Sequence, residues 1–181
     1  MSAVDYIKKI LKELLPYENY TLITRLTTAD VQKRLSDNIE PNKAYRFNPF
    51  GENIKPYEGV ISGNTFTINR IIHYRNSFLP IITGQIADDA GKTCIKIKMR
   101  LHLLVLIFVS FWLYTTGKFC VIVLTQNPSL KDLHPHPDAS INPSLIPFIM
   151  FTVMLVMTLG GFKTESKKSK RFLSSLLEEE K

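Results

Sequence analysis

The stretch KIKMRLHLLVLIFVSFWLYTTGKFCVIVLT, residues Lys96 to Thr125, decides the fold, because it begins as an alternating strand and continues as an apolar run. Residues 101–125 contain one charged side chain, that of Lys118. As an α-helix these residues extend about 37 Å, which exceeds the roughly 30 Å thickness of a bilayer core. The sequence therefore predicts a first transmembrane helix at residues 101–125.

A second apolar run, SLIPFIMFTVMLVMTLGGF, occupies residues 144–162 and contains no charged side chain. Its helical length of about 28 Å also matches a bilayer core. Neither run shows the polar stripe that a core helix of a soluble globular protein carries on its outer face. We therefore predict a membrane protein with a two-helix transmembrane hairpin, whose helices are joined by an extracytoplasmic loop at residues 126–143.

Basic residues are concentrated on one side of this hairpin. The nine that flank its outer ends are Lys92, Lys96, Lys98, Arg100, Lys163, Lys167, Lys168, Lys170 and Arg171. The connecting loop offers only Lys131. Because cytoplasmic flanks carry the excess of lysine and arginine, we predict an integral protein of the cell or inner membrane with both termini in the cytoplasm. The N-terminal segment has no apolar stretch typical of a secretory signal, so the first span is expected to direct insertion.

Lys118 lies 17 residues beyond Leu101, or about 25 Å along a helix. From that depth its aliphatic stem can lift the ammonium group into the outer headgroups, so we interpret it as an interfacial anchor. The alternative is an intramembrane charge that faces a conduction path or a partner.

Residues 1–100 are predicted to form a small cytoplasmic α+β domain. Apolar spacing of three and four favours helices at about 2–15 and 28–39, and alternation favours a strand at about 20–26. From Tyr57 onward the period becomes two, with turn signals at Gly63-Asn64 and at residues 88–91. The four strands expected there are 57–62, 65–73, 78–87 and 92–100. They predict a four-stranded antiparallel meander with one buried face, in a unit large enough to fold alone.

Two basic clusters are candidate contacts for lipid headgroups or for a partner. The first is Lys96, Lys98 and Arg100 on the last strand, where each cation near an anionic leaflet contributes about 1 kcal/mol. The second lies in the cytoplasmic basic amphipathic tail, residues 163–181, and consists of Lys167, Lys168, Lys170 and Arg171. An apolar helical face follows it, made of Phe172, Leu173, Leu176 and Leu177. This tail could dock on the meander domain, lie on the inner leaflet, or pair with another copy.

Two other polar segments contain residue types that occur in binding sites. His73, Tyr74, Arg75 and Asn76 could line a pocket for an anionic group, although polar residues are also ordinary in a strand connection. His134 and His136 in the external loop alternate with prolines, which favour extended chain and separate the side chains, so we predict no metal site.

The sequence lacks the signatures of several function classes. It contains no phosphate-binding glycine loop, no GxSxG nucleophile context and no nucleic-acid-binding signature. We therefore expect no cofactor, no nucleic-acid partner and no enzymatic activity. The favoured hypothesis is a membrane-anchored accessory subunit or sensor, whose cytoplasmic domain binds a protein or lipid partner at the inner surface. Membrane lipids and either a protein partner or self-association are the expected contacts. The alternative is a subunit of an oligomeric channel or transport component.

Overall fold

The computed structural model describes residues 15–41, 55–72, 76–89, 91–126 and 143–178. The predicted helix at 2–15, except for Leu15, and nearly all of the predicted loop at 126–143 lie outside these residues. The strands are β1 (Tyr17–Thr24), β2 (Ile39–Pro41), β3 (Tyr57–Ser62), β4 (Thr65–Arg70), β5 (Ile81–Asp89) and β6 (Lys92–Arg100). The helices are α1 (Thr28–Asn38), α2 (Leu103–Gln126) and α3 (Ile146–Leu176), and a 3₁₀ turn at Pro143–Leu145 precedes α3.

The strands form a single six-stranded mixed sheet in the order β1-β6-β5-β4-β3-β2. The predicted four-stranded antiparallel meander is present as β3 to β6, but the sheet is larger than predicted, because β1 and β2 also join it and β2 is parallel to its neighbour. β1 pairs with β6 along its whole length, from Tyr17 opposite Arg100 to Thr24 opposite Thr93. β2 adds three residues in parallel to β3. Both additions depend on contacts distant in sequence, which local alternation does not specify.

Local residue chemistry explains several element boundaries. The hydroxyl of Thr27 accepts a hydrogen bond from the Asp30 amide at 3.2 Å and caps the first turn of α1. Gly63 and Gly91 have φ values of 53° and 81° in the two hairpin turns, which favours glycine there. β5 begins directly after Pro80, since a proline cannot donate to the ladder, whereas the sequence predicted a strand at 78–87.

One face of the sheet carries the core of the first compact unit. The buried apolar side chains on this covered face are Leu22, Phe66, Ile68, Ile82, Ile86, Ile95, Ile97 and Met99. α1 contributes Val31 and Leu35 to the same core, and both are fully buried. The register brings Gly84 opposite Phe66, and a Cβ atom at Gly84 would clash with that ring. Phe66 therefore packs over bare backbone at the centre of the covered face.

The tail is part of this same unit, which comprises residues Met1–His102 together with Phe162–Lys181. α3 continues without interruption from its apolar portion to Leu176, so the predicted boundary at 162/163 is not a helix end. The buried stripe that begins at Phe162 and continues along the tail consists of Phe162, Ser166, Ser169, Leu173 and Leu177, at spacings of four, three, four and four. Of the three arrangements open to the tail, the structure adopts docking on the sheet.

The second compact unit comprises residues Leu103–Gly161 and holds α2 and the apolar portion of α3. Both helices are long and apolar enough to cross a membrane. In the most apolar 18-residue stretch of each helix, only 11% is buried, whereas a core helix of a soluble protein would be mostly buried. Phe108 and Trp112 on α2 and Met150, Met154 and Met157 on α3 line a shallow apolar groove.

Candidate functional site: the open face of the sheet

The second face of the sheet, here called the open face, is covered by neither α1 nor the tail. Because residues paired across antiparallel strands lie on the same face, the register arranges its side chains in rows. The first row is Tyr17, Arg100, Ile81, Asn69 and Glu58; the second is Asn19, Lys98, Thr83, Thr67 and Val60; the third is Thr21, Lys96, Gln85, Thr65 and Ser62. Most of these side chains are exposed.

Three cations, here called the basic stripe, run along β6 on this face. Lys96, Lys98 and Arg100 alternate with the buried Ile97 and Met99, so all three project to the exposed side. Successive members of the stripe are about 6.6 Å apart along the strand. Hence the predicted first cluster is present as a linear array on an inner strand of the sheet, flanked by β1 and β5.

The neighbours of the basic stripe carry no charge. On β1 the residues opposite its three cations are Thr21, Asn19 and Tyr17, and on β5 they are Gln85, Thr83 and Ile81. Within the part of the chain that the structure describes, no salt bridge involves a member of the stripe. Among the described residues, the positive charge is therefore not neutralised by cross-strand neighbours.

The cations of the tail differ from one another. Lys168 pairs with Glu165 at 2.9 Å, and the Lys170 ammonium lies 4.7 Å from the centre of the Tyr20 ring. Lys167 and Arg171 are exposed. Two of the four cations predicted to contact lipid or a partner thus have contacts inside the domain.

The tail is attached to the covered face through a cluster of polar side chains, here called the polar seat: Tyr57, Arg70, Glu165 and Ser169. Arg70 forms an ion pair with Glu165, whose side chain is 3% exposed. The Tyr57 hydroxyl donates to the Ser169 hydroxyl at 3.1 Å. Burial raises the pKa of the Tyr57 phenol above its ordinary value of about 10, and the hydrogen bond with Ser169 opposes that rise.

Other contacts extend this attachment across the covered face. Lys163 pairs with Glu18 on β1 at 3.2 Å, and Phe172 stacks on Tyr57 of β3 with ring centres 4.3 Å apart. Arg34 on α1 donates to the carbonyl oxygen of Leu176 at 3.2 Å. The tail thus contacts β1, β3, β4 and α1. Sequence reasoning missed the polar seat, because serine and glutamate in a lysine-rich segment suggest solvent exposure.

The remaining candidates have simpler surroundings. Asn76 accepts a hydrogen bond from the Phe78 amide at 2.9 Å and closes a local turn. The other residues of the predicted pocket, His73, Tyr74 and Arg75, lie outside the described residues. Lys118 is exposed, with its ammonium 5.7 Å from the centre of the Tyr114 ring.

No protein-family model matches this sequence, and no curated protein matches it.

Proposed function

We propose that the protein is a membrane-anchored, non-enzymatic binding module. In this proposal α2 and the apolar portion of α3 cross the membrane as a hairpin, and the sheet domain binds a protein or lipid partner at the inner surface. The observation that carries the proposal is the difference between the two faces of the sheet. The covered face is completed by the chain's own tail, whereas the open face is exposed and cationic.

The proposed orientation places the sheet domain and both termini in the cytoplasm. It rests on the distribution of basic residues, nine of which flank the outer ends of the two apolar helices, against Lys131 alone in the segment between them. The exposed apolar surface of both helices supports their insertion, because water would not tolerate so much of it. The basic stripe would then lie on the same side as the anionic cytoplasmic leaflet.

Binding fits the open face better than catalysis does. Its second and third rows offer ammonium, hydroxyl and amide groups, which bind anions and polar groups. Most of these side chains are exposed to solvent. The most buried carboxylate described, Glu165, is held by Arg70 and Lys168 in the attachment of the tail. The burial of Glu165 is therefore accounted for by a structural role, since its ion pairs join the tail to the sheet.

The proposal can be tested in the full-length protein by site-specific photo-crosslinking in living cells. A photoreactive amino acid at Thr67, on the open face, should give crosslinks to lipid or protein, whereas the same group at Lys33, exposed on α1, should give few. A reporter that functions only in the cytoplasm should be active when it is fused after Lys181. Crosslinking at Thr67 no stronger than at Lys33, or a reporter located outside, would contradict the proposal.

A further inference from the structure

The open face has a charge pattern that identifies the kind of partner it binds. We infer that the basic stripe, Lys96, Lys98 and Arg100, contacts the anionic phospholipid headgroups of the leaflet that α2 enters. This inference rests on the proposed function and names the partner of the same site.

Covalent connectivity limits how far the stripe can lie from the bilayer. Only two residues, Leu101 and His102, separate Arg100 from Leu103, the first residue of α2. Three peptide steps cover at most about 11 Å, which is close to the Debye length of about 8–10 Å at physiological ionic strength. Arg100 therefore lies within about one Debye length of Leu103, while Lys98 and Lys96 are at most about 7 Å and 13 Å further. The inference thus requires β6 to lie along the leaflet surface, and the protection of Lys96 tests that requirement.

The chemistry beside each cation also suits headgroups. Lys98 lies between Asn19 and Thr83, and Lys96 lies between Thr21 and Gln85. Each ammonium group thus has two neutral hydrogen-bonding side chains next to it, and phosphate and carboxylate oxygens accept from all of them. A lipid surface needs this kind of sequence-independent anion contact and no shaped pocket.

A lipid surface explains the composition of the open face better than an acidic protein does. The buried centres of protein interfaces are enriched in aromatic residues, methionine and arginine and depleted in lysine. The centre of the open face has lysine, threonine and glutamine, and its exposed large aliphatic residues, Ile23 and Val60, lie at its margins. An anchor in the membrane through α2 also keeps the sheet domain close to the lipid, so individually weak headgroup contacts are enough for binding.

The test measures amine acylation of individual lysines in the full-length protein. The protein is placed in nanodiscs of phosphatidylcholine alone, or in nanodiscs that also contain phosphatidylserine, and modification is quantified by mass spectrometry. We expect Lys96 and Lys98 to react about fivefold more slowly in the anionic nanodiscs, since one cation at an anionic surface gains about that factor. Lys33, exposed on α1, is the internal control and should react equally in both. Salt at 1 M should abolish the difference, because the Debye length falls to about 3 Å.

A matched pair of variants links the effect to the stripe. Lys98→Gln should reduce the phosphatidylserine that copurifies with the protein, whereas Lys33→Gln should leave it unchanged. Equal acylation rates in the two nanodiscs would overturn the lipid inference. If Lys96 and Lys98 were protected in native membranes but not in anionic nanodiscs, the partner would be a protein and the proposed function would stand. Absence of protection in all three settings would refute both.

Discussion

The substitution Leu173→Ala tests whether the tail belongs to the sheet domain. Leu173 is fully buried on the side of α3 that faces the sheet. Replacing such a leucine with alanine costs about 2–5 kcal/mol, because the transfer free energy is lost and a cavity remains. Domains of this size have a free energy of unfolding of only about 5–15 kcal/mol. The substitution should therefore remove a large share of the stability of the domain.

Pulse proteolysis in urea is a suitable assay, because it reports the unfolded fraction of a detergent-solubilised protein without spectroscopic interference. With a urea dependence near 2 kcal/mol per M, the unfolding midpoint should fall by roughly 1–2.5 M. Ser175→Ala is the matched control, since Ser175 is exposed on the same helix and its loss should cost less than about 0.5 kcal/mol. A tail that did not dock would make the two substitutions equivalent. Equal midpoints would thus refute the discontinuous domain.

Three further substitutions test other parts of the structure. Gly84→Ala should destabilise the domain by roughly 1–3 kcal/mol in the same urea assay, because its Cβ would meet the buried Phe66 ring; an unchanged midpoint would contradict this packing. Gly160→Ala should stabilise α3 by roughly 0.5–1 kcal/mol, measured as helix melting by circular dichroism, since among the described residues nothing lies within 4 Å of the new Cβ; a lower melting temperature would reveal a contact there. Burial raises the folded-state pKa of Tyr57, so the stability linked to its proton is complete below about pH 10 and is lost as the pH rises through the folded value. Tyr57→Phe, which also loses the hydrogen bond to Ser169, should therefore show a shallower fall of the urea midpoint between pH 9 and 11, and parallel pH profiles would exclude this linkage.

The parts of the fold that local pattern specifies could be predicted from the sequence. Tyr57–Ser62 has its predicted limits, and alternation between lysine and aliphatic residues marks β6. Glycine in the hairpin turns gave the connections between neighbouring strands. These elements depend on residues close together in the chain, so their side-chain period is sufficient to place them.

The rest depends on long-range pairing and on polar residues that become buried. A strand near 20–26 was predicted, but its observed limits, Tyr17–Thr24, and its place beside β6 follow from pairing over some 75 residues. The tail showed an apolar face at Phe172 and Leu173, yet Ser166 and Ser169 are fully buried as well. Small hydroxyl residues give no hydrophobic signal, although they allow a helix to approach a sheet closely. The open face followed directly from the predicted alternation of β6.

The discontinuous domain has a consequence for biosynthesis. The ribosome completes β6 at Arg100, but the buried stripe of the tail ends at Leu177, after both apolar helices have been made. At about 5–20 residues per second, the emerging strands wait roughly 4–15 s for the tail, which packs on Tyr57 and pairs with Glu18 on the covered face. During that interval the part of the covered face that the tail contacts is accessible to chaperones and to other nascent chains. Correct folding of the sheet domain is therefore coupled to completion of α3, and a chain arrested before the tail is made leaves an aggregation-prone intermediate.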